Sequence, residues 1–110
     1  MRGILGYGAY VPYYRLQRAA IGAALGSGGG KGTRSVAAYD EDATSMSVEA
    51  ARNMLRSFDA PTPAAVYFST VTPPYLDKTN ANVVHAALDM PSSVFAGDMV
   101  GSVRSTTAAM

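Results

Sequence analysis

Cysteine and tryptophan are both absent from this chain of 110 residues. Without cysteine there is no disulfide, no thiolate metal site and no thiolate nucleophile. Charged residues are sparse at 15%, and the formal net charge is +1. That balance argues against a nucleic-acid partner, which requires a basic face. Apolar runs all fall well short of the ~20 residues of a spanning helix, so no membrane partner is expected.

The composition is that of a folded chain. Hydrophobic residues make up 48% of the sequence, which is typical of one small globular domain with one core. The start, MRGILGYG, lacks the long apolar region and cleavage site of a signal peptide, so we expect a cytoplasmic location. No residue pattern indicates a metal or a bound cofactor.

Apolar segments alternate with segments of helical period, which predicts a layered α/β architecture. The predicted strands are Gly3–Ala9, Ala64–Thr70 and Val94–Val100. The predicted helices are Tyr14–Leu25, Asp42–Phe58, Thr79–Asp89 and one that begins at Ser102–Met110. A glycine-rich loop, GSGGGKG at 26–32, separates the first two helices.

Three segments carry a family resemblance. They are GILGYGAYVPYYRL at Gly3–Leu16, YDEDATSMSVEAARNMLRSF at Tyr39–Phe58, and Val66–Met110. All three resemble the amino-terminal part of hydroxymethylglutaryl-CoA synthases, in the thiolase-like superfamily. The resemblance implies that residues 1–110 are the amino-terminal part of a thiolase-like domain. It also implies a partial fold, with about three strands where a complete sheet usually has more.

The resemblance also implies where the chemistry of the family would lie. In that family a cysteine takes the acyl group from a CoA thioester, a glutamate moves the proton, and a histidine comes from the second half of the subunit. Aligning GDMVGSVRSTTAAM with the nucleophile segment puts Val103 at the cysteine position, and Val71 falls at the glutamate position. Neither valine ionises, so we expect this chain to be catalytically impaired.

Ser102 is the alternative nucleophile, since it is adjacent to the aligned position. A serine nucleophile needs a positioned base, and none is visible in the sequence. We therefore expect Ser102 to cap the helix that follows it. His85 lies inside a predicted helix, where packing or surface exposure is a more common role than catalysis.

The glycine-rich loop does not satisfy the phosphate-binding P-loop pattern, because Lys31 is followed by Gly32 instead of Ser or Thr. The residues alone predict a flexible surface loop. The resemblance, however, places this loop where family members approach CoA. It implies that Lys31 and Arg34 contact the phosphates of a CoA thioester, which is the expected substrate or ligand.

Two functions remain open. One is a diverged member of the condensing acyltransferases that act on acyl-CoA in lipid metabolism. The other is a non-catalytic thiolase-like subunit that binds acyl-CoA or a partner. The apolar strand Val94–Val100 predicts pairing into a homodimer or a heteromer, and the resemblance suggests an OB-fold or thiolase partner.

Overall fold

The computed structural model describes residues 3–59 and 61–110. Its strands are Tyr14–Gln17 (β1), Thr33–Val36 (β2), Ala65–Thr70 (β3) and Phe95–Val100 (β4). Its helices are Arg18–Leu25 (α1), Ala43–Ser57 (α2), Asn80–Ala87 (α3) and Ser105–Ala109 (α4). The chain forms two compact units. The hairpin unit is Val11–Glu41, and the sheet unit comprises the described residues of Met1–Tyr10 with Asp42–Met110.

The hairpin unit is built on an antiparallel pair of strands. β1 and β2 pair in register from Tyr14 opposite Val36 to Gln17 opposite Thr33. One more backbone bond, from Arg18 N–H to the Gly32 oxygen at 2.9 Å, extends the ladder into the start of α1. The helix and the glycine-rich loop therefore form the connection between the two strands.

The glycine-rich loop is packed against α1. Gly29 has a φ of 80°, in the left-handed region that favours glycine. A Cβ at Gly29 would lie 2.9 Å from the Gly22 nitrogen, a separation that side chains do not adopt. The missing side chain lets the loop lie directly on the helix at Gly29, while the other residues of the loop are exposed. Its flexibility stays a prediction.

In the sheet unit, α2 confirms the predicted helix and its acidic cap. The Ser45 N–H donates to Asp42 Oδ1 at 2.7 Å, and the Asp42 N–H donates to Ser45 Oγ at 2.9 Å. This reciprocal pair satisfies two backbone donors of the first turn and contributes about 1 kcal/mol. The helix ends at Ser57, and Phe58 is already extended.

β3 and β4 are parallel and in register from Ala65 opposite Phe95 to Thr70 opposite Val100. α3 connects them, which gives a βαβ unit. The core lies on one face of this sheet and combines residues of α2, β3 and α3. Its buried members are Val48, Phe68, Ala81 and Val84. Burying each large aliphatic or aromatic side chain stabilises the unit by about 1.5–3 kcal/mol.

α3 confirms the predicted helix with slightly narrower bounds, and it ends in a hydrogen-bonded turn. The Met90 N–H donates to the His85 oxygen and the Asp89 N–H to the Ala86 oxygen, both at 3.1 Å. Asp89 has a φ of 50°, as the residue after such a helix end requires. His85 Nε2 lies 3.1 Å from the Pro91 oxygen, so its ring is engaged in the same turn.

One predicted element is wrong, and another is wrong in part: the predicted helix Tyr14–Leu25 is helical only from Arg18. Gly3–Ala9 is not a strand; its Ala9 oxygen accepts from Asn53 Nδ2 at 2.9 Å. The segment lies against α2, since a Cβ at Gly8 would be 2.6 Å from the Met54 nitrogen. Tyr14–Gln17 is a strand, although its apolar pattern continues the helical period of α1, because β2 supplies a ladder partner.

In the part of the chain that the structure describes, no helix has both the length and the apolar character needed to cross a membrane. Within the same residues, no group of three or more His, Asp or Glu side chains is placed to hold a metal ion.

Candidate functional site

The two positions singled out by the resemblance lie at one edge of the sheet. β3 and β4 are parallel, and their last register partners are Thr70 and Val100. Val71 directly follows β3, and Val103 follows β4 after two residues. Loops at the carboxyl ends of parallel strands are the usual place for ligands in α/β sheets. We call this region, residues 69–75 and 100–107, the carboxyl edge.

Both valines are accessible at the carboxyl edge. Val71 is 55% exposed and Val103 is 88% exposed. Apolar side chains at this exposure contribute nothing to the core, and they can neither attack a thioester nor move a proton. Their equivalence to the glutamate and the cysteine of the family stays a prediction from the resemblance.

Ser102 is not the cap of α4, contrary to the sequence-based expectation. The helix begins at Ser105, and the N-cap is Arg104, without a side-chain cap bond. The Ser102 hydroxyl accepts from the Arg104 N–H at 3.2 Å, and its carbonyl accepts from the Ser105 N–H at 3.0 Å. Residues 101–104 thus form a turn that delays the helix. Among the described residues, no carboxylate or imidazole hydrogen-bonds to Ser102, so no base activates it.

A pair of hydroxyls joins the strand to the following helix. Ser69 Oγ on β3 lies 3.1 Å from Thr106 Oγ1 on α4. One hydroxyl donates in this bond, which leaves the hydrogen of the other hydroxyl for a further acceptor. The sequence analysis missed this pair because the two residues are 37 positions apart and neither belongs to a motif.

A polar network fixes the start of α3, with Asn80 buried and Asp98 half-buried. The carboxylate of Asp98 accepts from the Asn80 N–H at 2.8 Å, from Asn80 Nδ2 at 2.9 Å and from the Ala81 N–H at 2.7 Å. Burial by itself would raise the pKa of Asp98. The hydrogen bonds from Asn80 and Ala81 outweigh it and hold that pKa below its ordinary value of 3.8.

The same network reaches the loop that follows β3. The Tyr75 N–H donates to Asn80 Oδ1 at 3.1 Å, and Asn80 Nδ2 donates to the Tyr75 oxygen at 3.0 Å. One carboxamide therefore closes the turn between Tyr75 and α3. The sequence analysis did not identify this group; an aspartate within an apolar strand and an asparagine at a helix start were the available signals.

The two predicted phosphate contacts lie in the hairpin unit. Lys31 is exposed in the glycine-rich loop, and Arg34 is exposed on β2, opposite Leu16. The Arg18 guanidinium lies beside Gly30, where a Cβ would be 3.5 Å from its Nη2 atom. The hairpin unit contains four cationic side chains, with Arg15 as the fourth, and two acidic ones at its carboxyl end, Asp40 and Glu41. This local excess of positive charge suits an anionic ligand.

Two curated relatives of this chain share one name. No protein-family model matches the chain. The hydroxymethylglutaryl-CoA synthase of Picrophilus torridus is 37% identical across the whole chain, which covers 34% of that enzyme. The enzyme of the same name from Pyrococcus furiosus is 35% identical over 98% of the chain and 32% of the relative.

Solved structures agree on the fold. A β-ketoacyl-[acyl carrier protein] synthase III from Thermus thermophilus matches 94% of this chain with a TM-score of 0.79 and 30% identity, over 35% of its own length. A 3-oxoacyl-(acyl-carrier protein) synthase from Burkholderia xenovorans matches 87% with a TM-score of 0.68, at 23% identity. These matches confirm the predicted fold class, a partial α/β layer of the thiolase-like type.

The chain spans about a third of the length of the curated relatives that it matches. The family resemblance in its three segments, the parallel βαβ unit and the identity with these relatives all agree. Over its whole length the chain is homologous to about a third of the hydroxymethylglutaryl-CoA synthases, and its fold is of the thiolase-like type.

Proposed function

We propose that this chain binds an acyl-CoA thioester at the carboxyl edge without forming a covalent acyl-enzyme. The observation that carries the proposal is the placement of Val71 and Val103 after the paired ends of β3 and β4. Two accessible positions at this edge are apolar, and they are the two that the resemblance assigns to proton transfer and to nucleophilic attack. The edge therefore has room to bind a thioester but lacks, at these two positions, a group that could form a covalent bond to it.

The carboxyl edge offers both apolar and polar contacts to an acyl group. The exposed valines offer contact to an acyl chain. The hydroxyl pair of Ser69 and Thr106 keeps one hydrogen for a carbonyl oxygen, such as that of a thioester. A thioester bound there meets donors but no thiolate, so it stays intact.

From the resemblance we also infer that Lys31 and Arg34, in the hairpin unit, contact the phosphates of a CoA thioester. Both side chains are exposed in a unit with an excess of positive charge, and charge-assisted bonds to phosphate are among the stronger hydrogen bonds. Arg34 presents a planar fork that matches two phosphate oxygens, whereas Lys31 acts as a point charge. The ligand is thus a CoA thioester, and no other cofactor is assigned.

The alternative function is an active condensing acyltransferase, as the names of the relatives indicate for those proteins. The only hydroxyl next to the aligned nucleophile position is that of Ser102, and it accepts a hydrogen bond from the Arg104 N–H without a base beside it. This geometry favours the binding function. A cytoplasmic location and a role in lipid metabolism follow as parts of the same proposal.

Calorimetric titration with acetyl-CoA tests the proposal. We expect saturable binding that the double variant Lys31→Ala/Arg34→Ala weakens and that rising salt also weakens. Arg56→Ala is the matched control, because Arg56 is an exposed cation at the end of α2 that is already bonded to Asn53. Absence of binding by the unmodified chain contradicts the proposed function. If Arg56→Ala lowers the affinity for acetyl-CoA as much as the double variant does, the assignment of the phosphate contacts is refuted.

A further inference from the structure

The loop after β3 is held at both ends. At its start, the Thr72 N–H donates to Thr70 Oγ1 at 3.1 Å. At its far end, the backbone of Tyr75 bonds through both its N–H and its oxygen to the carboxamide of Asn80. Pro73 and Pro74 lie between these two points, and each has a fixed φ. The segment that carries Val71 therefore has little freedom while Asn80 stays in place.

Asn80 is in turn held by Asp98. Asn80 is 1% exposed, the largest side chain in the described residues that is fully buried. Its Nδ2 atom divides its two hydrogens between Asp98 Oδ2 and the Tyr75 oxygen, at 2.9 and 3.0 Å. The other Asp98 oxygen accepts from the Ala81 N–H. A polar network with all partners present is rigid, and loss of one partner leaves the others unpaired.

We propose that Asp98 and Asn80 are positioning residues that set the shape of the Val71–Tyr75 segment and thereby the affinity of the carboxyl edge for its ligand. This inference rests on the proposed binding of acyl-CoA. Asp98 lies in the middle of β4 and Asn80 at the start of α3, so neither needs to touch the ligand. Asn80 bonds to Asp98 on β4 and to Tyr75 in the loop, so the position of β4 fixes the position of the loop.

The test combines ligand affinity with a local probe of the loop. Asn80→Ala removes the carboxamide, and Asp98→Asn replaces the accepting carboxylate. Asn82→Ala is the control, because Asn82 is exposed in the same helix and outside the network. Acetyl-CoA is the probe, and hydrogen exchange of the Tyr75 amide reports the closure of the turn. All measurements are made well below the melting temperature, with far-UV circular dichroism confirming the fold.

We expect both network variants to weaken acetyl-CoA binding by about tenfold, a change of 1.4 kcal/mol. Exchange of the Tyr75 amide should be faster in both, and the control should match the unmodified chain. The two effects should be non-additive in the double variant, since they interrupt one network. If the two residues only stabilise the fold, their variants will have a lower melting temperature but an unchanged affinity for acetyl-CoA. That result overturns the inference.

The outcomes separate the two proposals. An unmodified chain that binds acetyl-CoA, together with network variants that bind it equally well, refutes the positioning role alone. An unmodified chain that does not bind refutes the proposed function and this inference with it. If Asn80→Ala does not fold, Asn80→Ser places a single hydroxyl at the buried position, which cannot replace both the donor and the acceptor of the carboxamide. Unchanged affinity in that folded variant is then the contradicting result.

Discussion

Thr70 and Val100 are register partners at the last positions of two parallel strands. Because of this pairing, the chain leaves both strands at one edge, and Val71 and Val103 follow within three residues of it. The parallel register, and not any motif in the sequence, brings these two positions together. The same register places Ser69, one residue before the pair, within reach of Thr106 on α4.

The Asp98 network makes stability depend on pH. The hydrogen bonds from Asn80 and Ala81 keep the pKa of Asp98 below its ordinary value in the folded chain. A carboxylate with a depressed folded pKa stabilises the fold above its unfolded pKa, and that stabilisation is lost as the pH falls. We therefore expect the free energy of unfolding to fall as the pH drops below about 4.

Urea unfolding at pH values between 7 and 3 measures this effect, with Asp98→Asn as the reference. The variant lacks the titrating group, so its stability should depend less on pH over the acid part of the range. Parallel pH profiles for the two proteins contradict this role of Asp98.

Two neighbouring glycines of the hairpin unit should differ in their tolerance of alanine. Both Gly28 and Gly29 have a φ of 80°, so alanine costs about 1–2 kcal/mol at either position. A Cβ at Gly28 meets nothing within 4 Å, whereas one at Gly29 meets the Gly22 nitrogen at 2.9 Å. Gly29→Ala should therefore cost about 1–3 kcal/mol more than Gly28→Ala. Hydrogen exchange of the α1 amides measures the difference, and equal protection in the two variants shows that the loop does not pack on α1.

Local signals were sufficient for α2, α3, β3 and β4. An aspartate before a helical stripe predicted α2, and short apolar runs bounded by prolines or turns predicted β3 and β4. They were insufficient where a partner distant in the sequence decides the structure. Tyr14–Gln17 became a strand because Thr33–Val36 pairs with it, and Gly3–Ala9 did not become a strand.

In the candidate site, too, the sequence predicted what depends on local signals and missed what depends on distant residues. The positions of Val71 and Val103 after two strands followed from the sequence and its resemblance. The hydroxyl pair of Ser69 and Thr106 and the network of Asn80 and Asp98 did not, since each joins residues far apart in the chain. The role expected of Ser102 failed because a turn at residues 101–104 moves the start of α4 to Ser105.

The free edge of β4 predicts self-association. Among the described residues β4 pairs only with β3, so the backbone groups of its other edge are available to a further strand. Phe95 is 59% exposed on this strand, with its ring 5.9 Å from that of Tyr67 on β3, and Val94 is buried. We propose a homodimer, or a heteromer with an OB-fold or thiolase partner, through Val94–Val100.

Sedimentation at micromolar concentration should therefore show dimers of the isolated chain. Val100→Lys places a charge on β4 and should shift the chain to monomer, as charged edge strands do. Val11→Lys is the control, because Val11 is exposed in the hairpin unit. A monomeric unmodified chain contradicts self-pairing, and equal dissociation in the control contradicts the assigned strand.

Native mass spectrometry of the chain with acetyl-CoA tests the central claim most directly. The account predicts a complex of one chain with intact acetyl-CoA that releases the unmodified chain on activation, because Val103 supplies no nucleophile. An acetylated chain, with the acetyl group on Ser102 or any other hydroxyl at the carboxyl edge, would contradict the account.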